Sequence, residues 1–102
     1  MVVTVFRARA RKDLDPALYA EAGRRNARML ELAQSMPGFV SYKDFNAADG
    51  ESLALIEFDT HEHQRAWHEH PEHRAVQQWG RDVFFSEFQI QVCDLARTLR
   101  FP

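Results

Sequence analysis

The sequence predicts an α+β domain built on one four-stranded antiparallel sheet, and three observations carry that reading. Runs of β-branched and aromatic residues recur four times along its 102 residues. Two stretches with helical spacing of apolar residues divide them, one after the first run and one after the third. Turn chemistry fills the remaining junctions, at Pro37-Gly38 and Asp49-Gly50. The order strand, helix, strand, strand, helix, strand is the split arrangement of ferredoxin-like βαββαβ folds, with both helices on one face of the sheet.

Each element has a local justification. Val2 to Ala8 is β-branched and aromatic and reads as the first strand. Asp15 can cap free N–H groups and Pro16 suits a first helical position, so a helix begins there. Leu18, Ala22, Met29, Leu32, Ala33 and Met36 continue its apolar stripe to about Ser35. Pro37-Gly38 ends it. Phe39 to Phe45 is a second strand, and Asp49-Gly50 supplies the positive φ of a hairpin leading into a third, Ser52 to Asp59. Leu53-Ala-Leu-Ile56 does not alternate, which predicts cover on both faces. Thr60 caps a second helix from His61 to about Glu69. Pro71 breaks it and opens a further helix to about Asp82, leaving His70 as a junction residue that can cap the helix starting at Pro71. Phe84 to Leu95 is the fourth strand. Phe88, Ile90 and Val92 alternate with Glu87, Gln89 and Gln91, the pattern of an edge or pocket-lining strand.

Composition narrows the function. A net charge of −2 argues against nucleic-acid binding, which needs clustered Lys and Arg. Arg7, Arg9 and Arg11 read as the polar face and fraying end of a strand. Arg24, Arg25 and Arg28 read as a solvated helix face. Cys93 is the only cysteine, so no intrachain disulfide forms, and a small buried thiol is expected there. No basic stretch leads into an apolar run at Met1, and no segment approaches membrane-spanning length. A cytoplasmic protein is expected. Phe6, Phe39, Phe45, Phe58, Phe84, Phe85 and Phe88 offer more aromatic surface than two short helices hide. The open sheet face should therefore meet a second subunit or enclose an apolar pocket.

The run from Phe58 to Trp79 holds all five histidines and both tryptophans. With Met36-Pro37-Gly38-Phe39-Val40-Ser41-Tyr42, Asp49-Gly50-Glu51, Leu53-Ala-Leu-Ile-Glu57-Phe58 and Trp67-His68-Glu69-His70-Pro71-Glu72-His73, the chain resembles the antibiotic biosynthesis monooxygenase family over roughly residues 1 to 95. The resemblance implies a homodimeric α/β barrel, in which two sheets pack face to face and each subunit keeps an apolar cavity between sheet and helices. It implies oxidation of a quinol or aromatic polyketide without metal, flavin or haem. In one cofactor-free subgroup an Asn, a Trp and a Tyr stand where this chain has His63, Trp67 and His73. Haem-degrading relatives carry an axial His where this chain has Gln77, and an Asn in the first strand, so haem degradation is not expected.

The residues themselves allow competing roles. His63 and Trp67 lie four apart and share a helix face, so both are expected to line one cavity. A neutral imidazole at His63 or His73 can accept a proton near pH 7, and Trp67 can contact a ring or donate to a substrate oxygen. By its packing area Trp67 reads first as a core residue, and both roles hold if it lines the cavity. Trp79 and Phe84 read as core or interface, and Tyr19 and Tyr42 either as pocket-lining or as half-buried aromatics. His61 and His68 read as exposed, and the histidine spacings complete no zinc tetrahedron. Glu57, Asp59 and Arg7 read as surface groups. The catalytic candidates are thus His63, Trp67 and His73, with no cofactor or metal. The competing functions are a non-catalytic sensing dimer for a small apolar ligand and a non-redox isomerase.

Overall fold

Each helix begins where a side chain can satisfy free backbone N–H groups. In the computed structural model, which describes residues 1–102, Asp15 accepts from Ala17 N and opens α1 (Pro16–Ser35). Thr60 accepts from His63 N and opens α2 (His61–His68). Pro71 interrupts the path, and His70 Nδ1 accepts from Glu72 N to open α3 (Pro71–Trp79). The junction histidine is therefore a cap. No helix is long and apolar enough to cross a membrane.

The end of α3 departs from the sequence reading. The helix does not run on to Asp82 but widens into a π-helical turn, Gly80–Phe84, closed by Phe85 N donating to Gly80 O. A Cβ at Gly80 would stand 2.8 Å from Phe85 Cδ2. Glycine therefore lets the Phe85 ring fold back against the turn, and the fourth strand starts one residue later than expected.

The strands β1 (Val2–Ala10), β2 (Phe39–Asn46), β3 (Ser52–Phe58) and β4 (Phe85–Asp94) form one antiparallel sheet in the order β2-β3-β1-β4. β4 is an edge, as its polar alternate face indicated. Met29, Leu32 and Ala33 of α1 and Trp67 of α2 pack on Ala54, Ile56 and Phe58 of β3. Leu53, Leu55 and Glu57 point the other way and are only half-buried. The chain by itself covers one face of β3, not the two its apolar run suggested.

Other expectations also change. Most of the phenylalanines do not crowd the open face. Phe6, Phe85 and Phe88 form a ring network on the helix side, Phe84 joins it through Phe85, and Phe39 meets Phe58 edge to face. These rings hide one another, which two short helices alone would not achieve. Phe45 remains exposed. Cys93 is exposed as well, because it pairs with Val3 on the uncovered face of an edge strand. The arginines of β1 and Arg11 just beyond it do not fray. Arg7 pairs with Glu51 at 3.1 Å, Arg9 with Asp49 at 2.9 Å, and Arg11 donates to the carbonyls of Phe85 and Arg81.

Gly38 joins α1 to β2 with φ +80, and a Cβ there would lie 2.1 Å from Asp59 Oδ1 and 2.3 Å from His63 Nδ1. Gly38→Ala therefore meets both a forbidden φ and a collision. Urea unfolding is expected to show a loss of roughly 1–3 kcal/mol. An alanine variant as stable as the parent would show that the close approach of α2 to this turn is not a real constraint.

Candidate functional site

Between the helices and the sheet lies a cavity of about 360 Å³, inside the range of roughly 300–1,000 Å³ usual for small-ligand sites. The strand register builds its floor. Tyr42 stands beside Ile56, and Ile56 beside Thr4. Ala54 and Phe6 pair in the next row. Met29, Asn26 and Arg25 line the cavity from α1, Trp67 and His73 from α2 and α3, and Phe84 and Phe85 from the π-helical turn and β4. The lining is mostly apolar, with its polar groups few and placed.

The break at Pro71 aims His73. A continuous helix would have carried residue 73 round to a direction set by α2. Instead α3 restarts, and the His73 ring lies with its centroid 4.3 Å from that of Trp67. Trp67 is itself buried against Phe58, with centroids 5.7 Å apart, and edge-on to Tyr42 at 6.3 Å.

Three buried polar atoms find no protein partner: Thr4 Oγ1, Trp67 Nε1 and His73 Nδ1. All three belong to residues that line this cavity. Buried polar atoms are rarely left unpaired in folded proteins, because each costs its desolvation energy. Burial first, then the neighbouring His68 imidazole, pushes His73 down to about 4. At neutral pH its ring is uncharged, with one N–H to donate and one lone pair to accept. Tyr42 is different. Burial, reinforced by the charge of Asp44, holds its phenol well above the usual value. Its hydroxyl donates to Asn26 Oδ1 at 2.9 Å, and Asn26 donates to Asp44 at 3.1 Å. It is a neutral, committed group.

His63 is not at the cavity. Its Nδ1 is 2.6 Å from Asp59 Oδ1, and that contact is the first cause holding the Asp59 carboxyl below its usual range. The spacing of four that relates His63 to Trp67 also relates Asp59 to His63, and the carboxylate next to Gly38 takes the ring. The expectation that His63 and Trp67 share a cavity is therefore corrected. His61 contacts Asp94 at 2.6 Å. His68 lines the cavity instead of standing free of it. Glu57 accepts from Ser41 on the uncovered face. No three His, Cys, Asp or Glu side chains converge as metal ligands would.

Thr4 escaped the sequence reading, although a signal was present. Val2, Thr4, Phe6 and Ala8 are the inward positions of β1, and one of the four is polar. Only strand parity, which the sheet settles, makes that choice meaningful.

The low value at His73 has a consequence for stability. Between pH 6.5, the ordinary value, and about 4, the unfolded chain binds a proton that the folded chain refuses. Stability therefore rises with pH across that window and is lost as pH falls through it. His73→Gln should flatten this slope, measured by urea unfolding from pH 7 to 4. An NMR titration placing the His73 ring near 6.5 would contradict the burial argument.

No family model matches this chain. A Bacillus subtilis (strain 168) protein, the uncharacterized protein YqjZ, is 30% identical over 74 residues, which are 72% of this chain and 65% of that protein. The chain thus spans somewhat less than two thirds of this relative. Among solved structures, a candidate antibiotic biosynthesis monooxygenase from Deinococcus radiodurans superposes with a TM-score of 0.82 at 10% identity, covering 100% of this chain and 99% of that one. SnoaB, a cofactor-independent oxygenase from Streptomyces nogalater, gives 0.75 at 20% identity, covering 96% and 95%. A dimeric ferredoxin-like protein of unknown function from Thermobifida fusca gives 0.71 at 16% identity, covering 93% and 92%. The chain therefore has the antibiotic biosynthesis monooxygenase fold, a ferredoxin-like α+β sheet with its helices on one face.

Proposed function

We propose that this protein is a cofactor-independent monooxygenase that oxidises an electron-rich aromatic, a quinol or polyphenolic ring, in the cavity beneath Trp67. One observation carries the reading. The indole N–H of Trp67 and the imidazole of His73 are in ring contact, and both have buried nitrogens without a protein partner in a mostly apolar cavity. A flat ring fits such walls, and its hydroxyl can give a proton to His73 while its oxygen accepts from Trp67. A lone imidazolium is disfavoured here by burial, so His73 keeps the proton only while the substrate anion stays beside it. The ring, made electron-rich as an anion, is its own reductant for O₂. One oxygen atom enters the ring system and the other leaves as water. The cofactor-independent oxygenase SnoaB, on the same fold, supports this chemistry without metal or flavin. Trp67 and His73 are the catalytic residues of this reading, and His63 a structural partner of Asp59.

A non-catalytic ligand-binding protein is the second reading. It is favoured by the weak basicity of His73 in the free protein and by the placement of His63 outside the cavity. A non-redox isomerase would use the same proton acceptance without consuming oxygen.

A homodimer belongs to the same proposal. The chain exposes 6912 Å², whereas a compact monomer of 11.9 kDa exposes roughly 6,000 Å². Val3, Val5, Leu53 and Leu55 form an apolar patch on the uncovered sheet face, and Leu99 and Phe101 are 86% and 100% exposed. A second copy on that face accounts for both, and light scattering at low micromolar concentration should give twice the chain mass. A monomer mass would refute it.

Oxygen uptake with a panel of quinols and anthrones, in the presence of a chelator, tests the reaction. His73→Ala is expected to lower turnover by ~10²–10⁴-fold, the usual contribution of a general base. Trp67→Phe should weaken turnover while retaining most of the packing. His63→Ala should keep turnover within a few-fold of the parent. If no ring in the panel drives oxygen uptake yet several bind, the non-catalytic reading replaces this one. Full activity in His73→Ala would remove His73 from the mechanism.

A further inference from the structure

We propose that Thr4 is a ligand-binding residue that selects aromatics bearing a second oxygen, remote from the one held by Trp67 and His73; the assignment rests on the aromatic-ligand reading above. Thr4 occupies the middle of β1, on the helix side, and is 3% exposed. Its strand partners are Ile56 on β3 and Val92 on β4. Strand propensity admits valine and threonine alike, but burial among apolar neighbours favours valine, which has the same shape without a hydroxyl to desolvate. The hydroxyl instead stands buried with no protein partner, at the edge of the cavity floor. Fold and packing do not explain it, whereas a ligand oxygen does.

The geometry also separates Thr4 from the other two orphaned groups. Trp67 sits over Phe58 and edge-on to Tyr42, above β2 and β3. Thr4 is on β1, with Ile56 between it and Tyr42, so two strand spacings of about 4.8 Å divide Thr4 from Tyr42. One hydroxyl can serve the contacting rings of Trp67 and His73, the first as donor and the second as acceptor. A ring with an oxygen on its far side reaches Thr4, whose hydroxyl donates or accepts as that oxygen requires. The ligand class is thus an aromatic with two oxygens on different edges, as in a para-quinol or a fused hydroxy-ketone, in preference to a monophenol.

The test is binding, not turnover. Isothermal calorimetry under nitrogen compares 1,4-dihydroxynaphthalene with 1-naphthol on the parent, Thr4→Val and Thr4→Ser. Thr4→Val is expected to weaken the dihydroxy probe about tenfold, the loss of one hydrogen bond with its partner left unmet. It should leave 1-naphthol within twofold, and Thr4→Ser should keep the parent's preference. The melting temperature of ligand-free Thr4→Val should be equal to or above the parent's, because a hydroxyl with no structural partner contributes nothing to the fold. The proposal is overturned if both probes weaken alike, if neither binds the parent saturably, or if Thr4→Val melts clearly lower. A parent that binds with this preference but consumes no oxygen would refute the oxidation proposed above and leave the role of Thr4 standing.

Discussion

The packing of Trp67 on Phe58 is the contact on which the site depends. Phe58 is fully buried at the end of β3, and Trp67 lies tilted across it from α2. That pair pins a helix of only two turns, which has little stability of its own. It brings α2 down onto the turn at Gly38, where nothing larger than glycine leaves room for Asp59 and His63. It also sets the indole that His73 meets from α3. Phe58→Ala would remove roughly 3–5 kcal/mol of packing and release the cavity roof together with the core.

The cavity is held open by stiff walls and punctuated by polar atoms that those walls leave unserved. Phe6, Phe84, Phe85 and Phe88 brace one another at one end. Trp79 stacks on Phe84 and carries the Arg25 guanidinium 4.5 Å from its ring centre. Aromatic rings of this kind cannot collapse into the space as flexible aliphatic chains would. An unpaired buried donor or acceptor carries a real cost in stability, and the three at this cavity lie on three different elements, β1, α2 and α3. All three belong to residues lining one space, and the ligand reading proposed above rests on that coincidence.

Charge is handled differently at the surface and at the cavity. On the surface, paired groups settle one another: Arg28 with Glu72 at 2.8 Å, Arg9 with Asp49, Arg7 with Glu51. Such exposed pairs contribute little individually. At the cavity the effects are larger because the groups are buried. Burial holds the Tyr42 phenol protonated, with the charge of Asp44 as a second cause, and holds the His73 ring neutral. In the oxidation proposed above, the anion would accept from the Trp67 N–H and lie beside the proton passed to His73.

The topology was legible in the residues because its signals are local. Caps at Asp15 and Thr60, breaks at Pro37-Gly38 and Pro71, and the Asp49-Gly50 turn all act within a few residues, and each fell where it was read. The capping role of His70 was legible for the same reason. The cavity was only partly legible. Trp67 and His73 were candidates from type and spacing, but spacing placed His63 beside Trp67, and a carboxylate four residues upstream takes its ring instead. The π-helical turn at Gly80 depends on where the Phe85 ring packs, and nothing in the local sequence states that. Thr4 is the clearest case. By itself the sequence determined that a threonine stands among inward-capable positions of a strand; only the sheet register and the helices above it decided that its hydroxyl is buried, unpartnered and at the floor of a cavity. Burial is a property of what lies across space, and no local pattern encodes it.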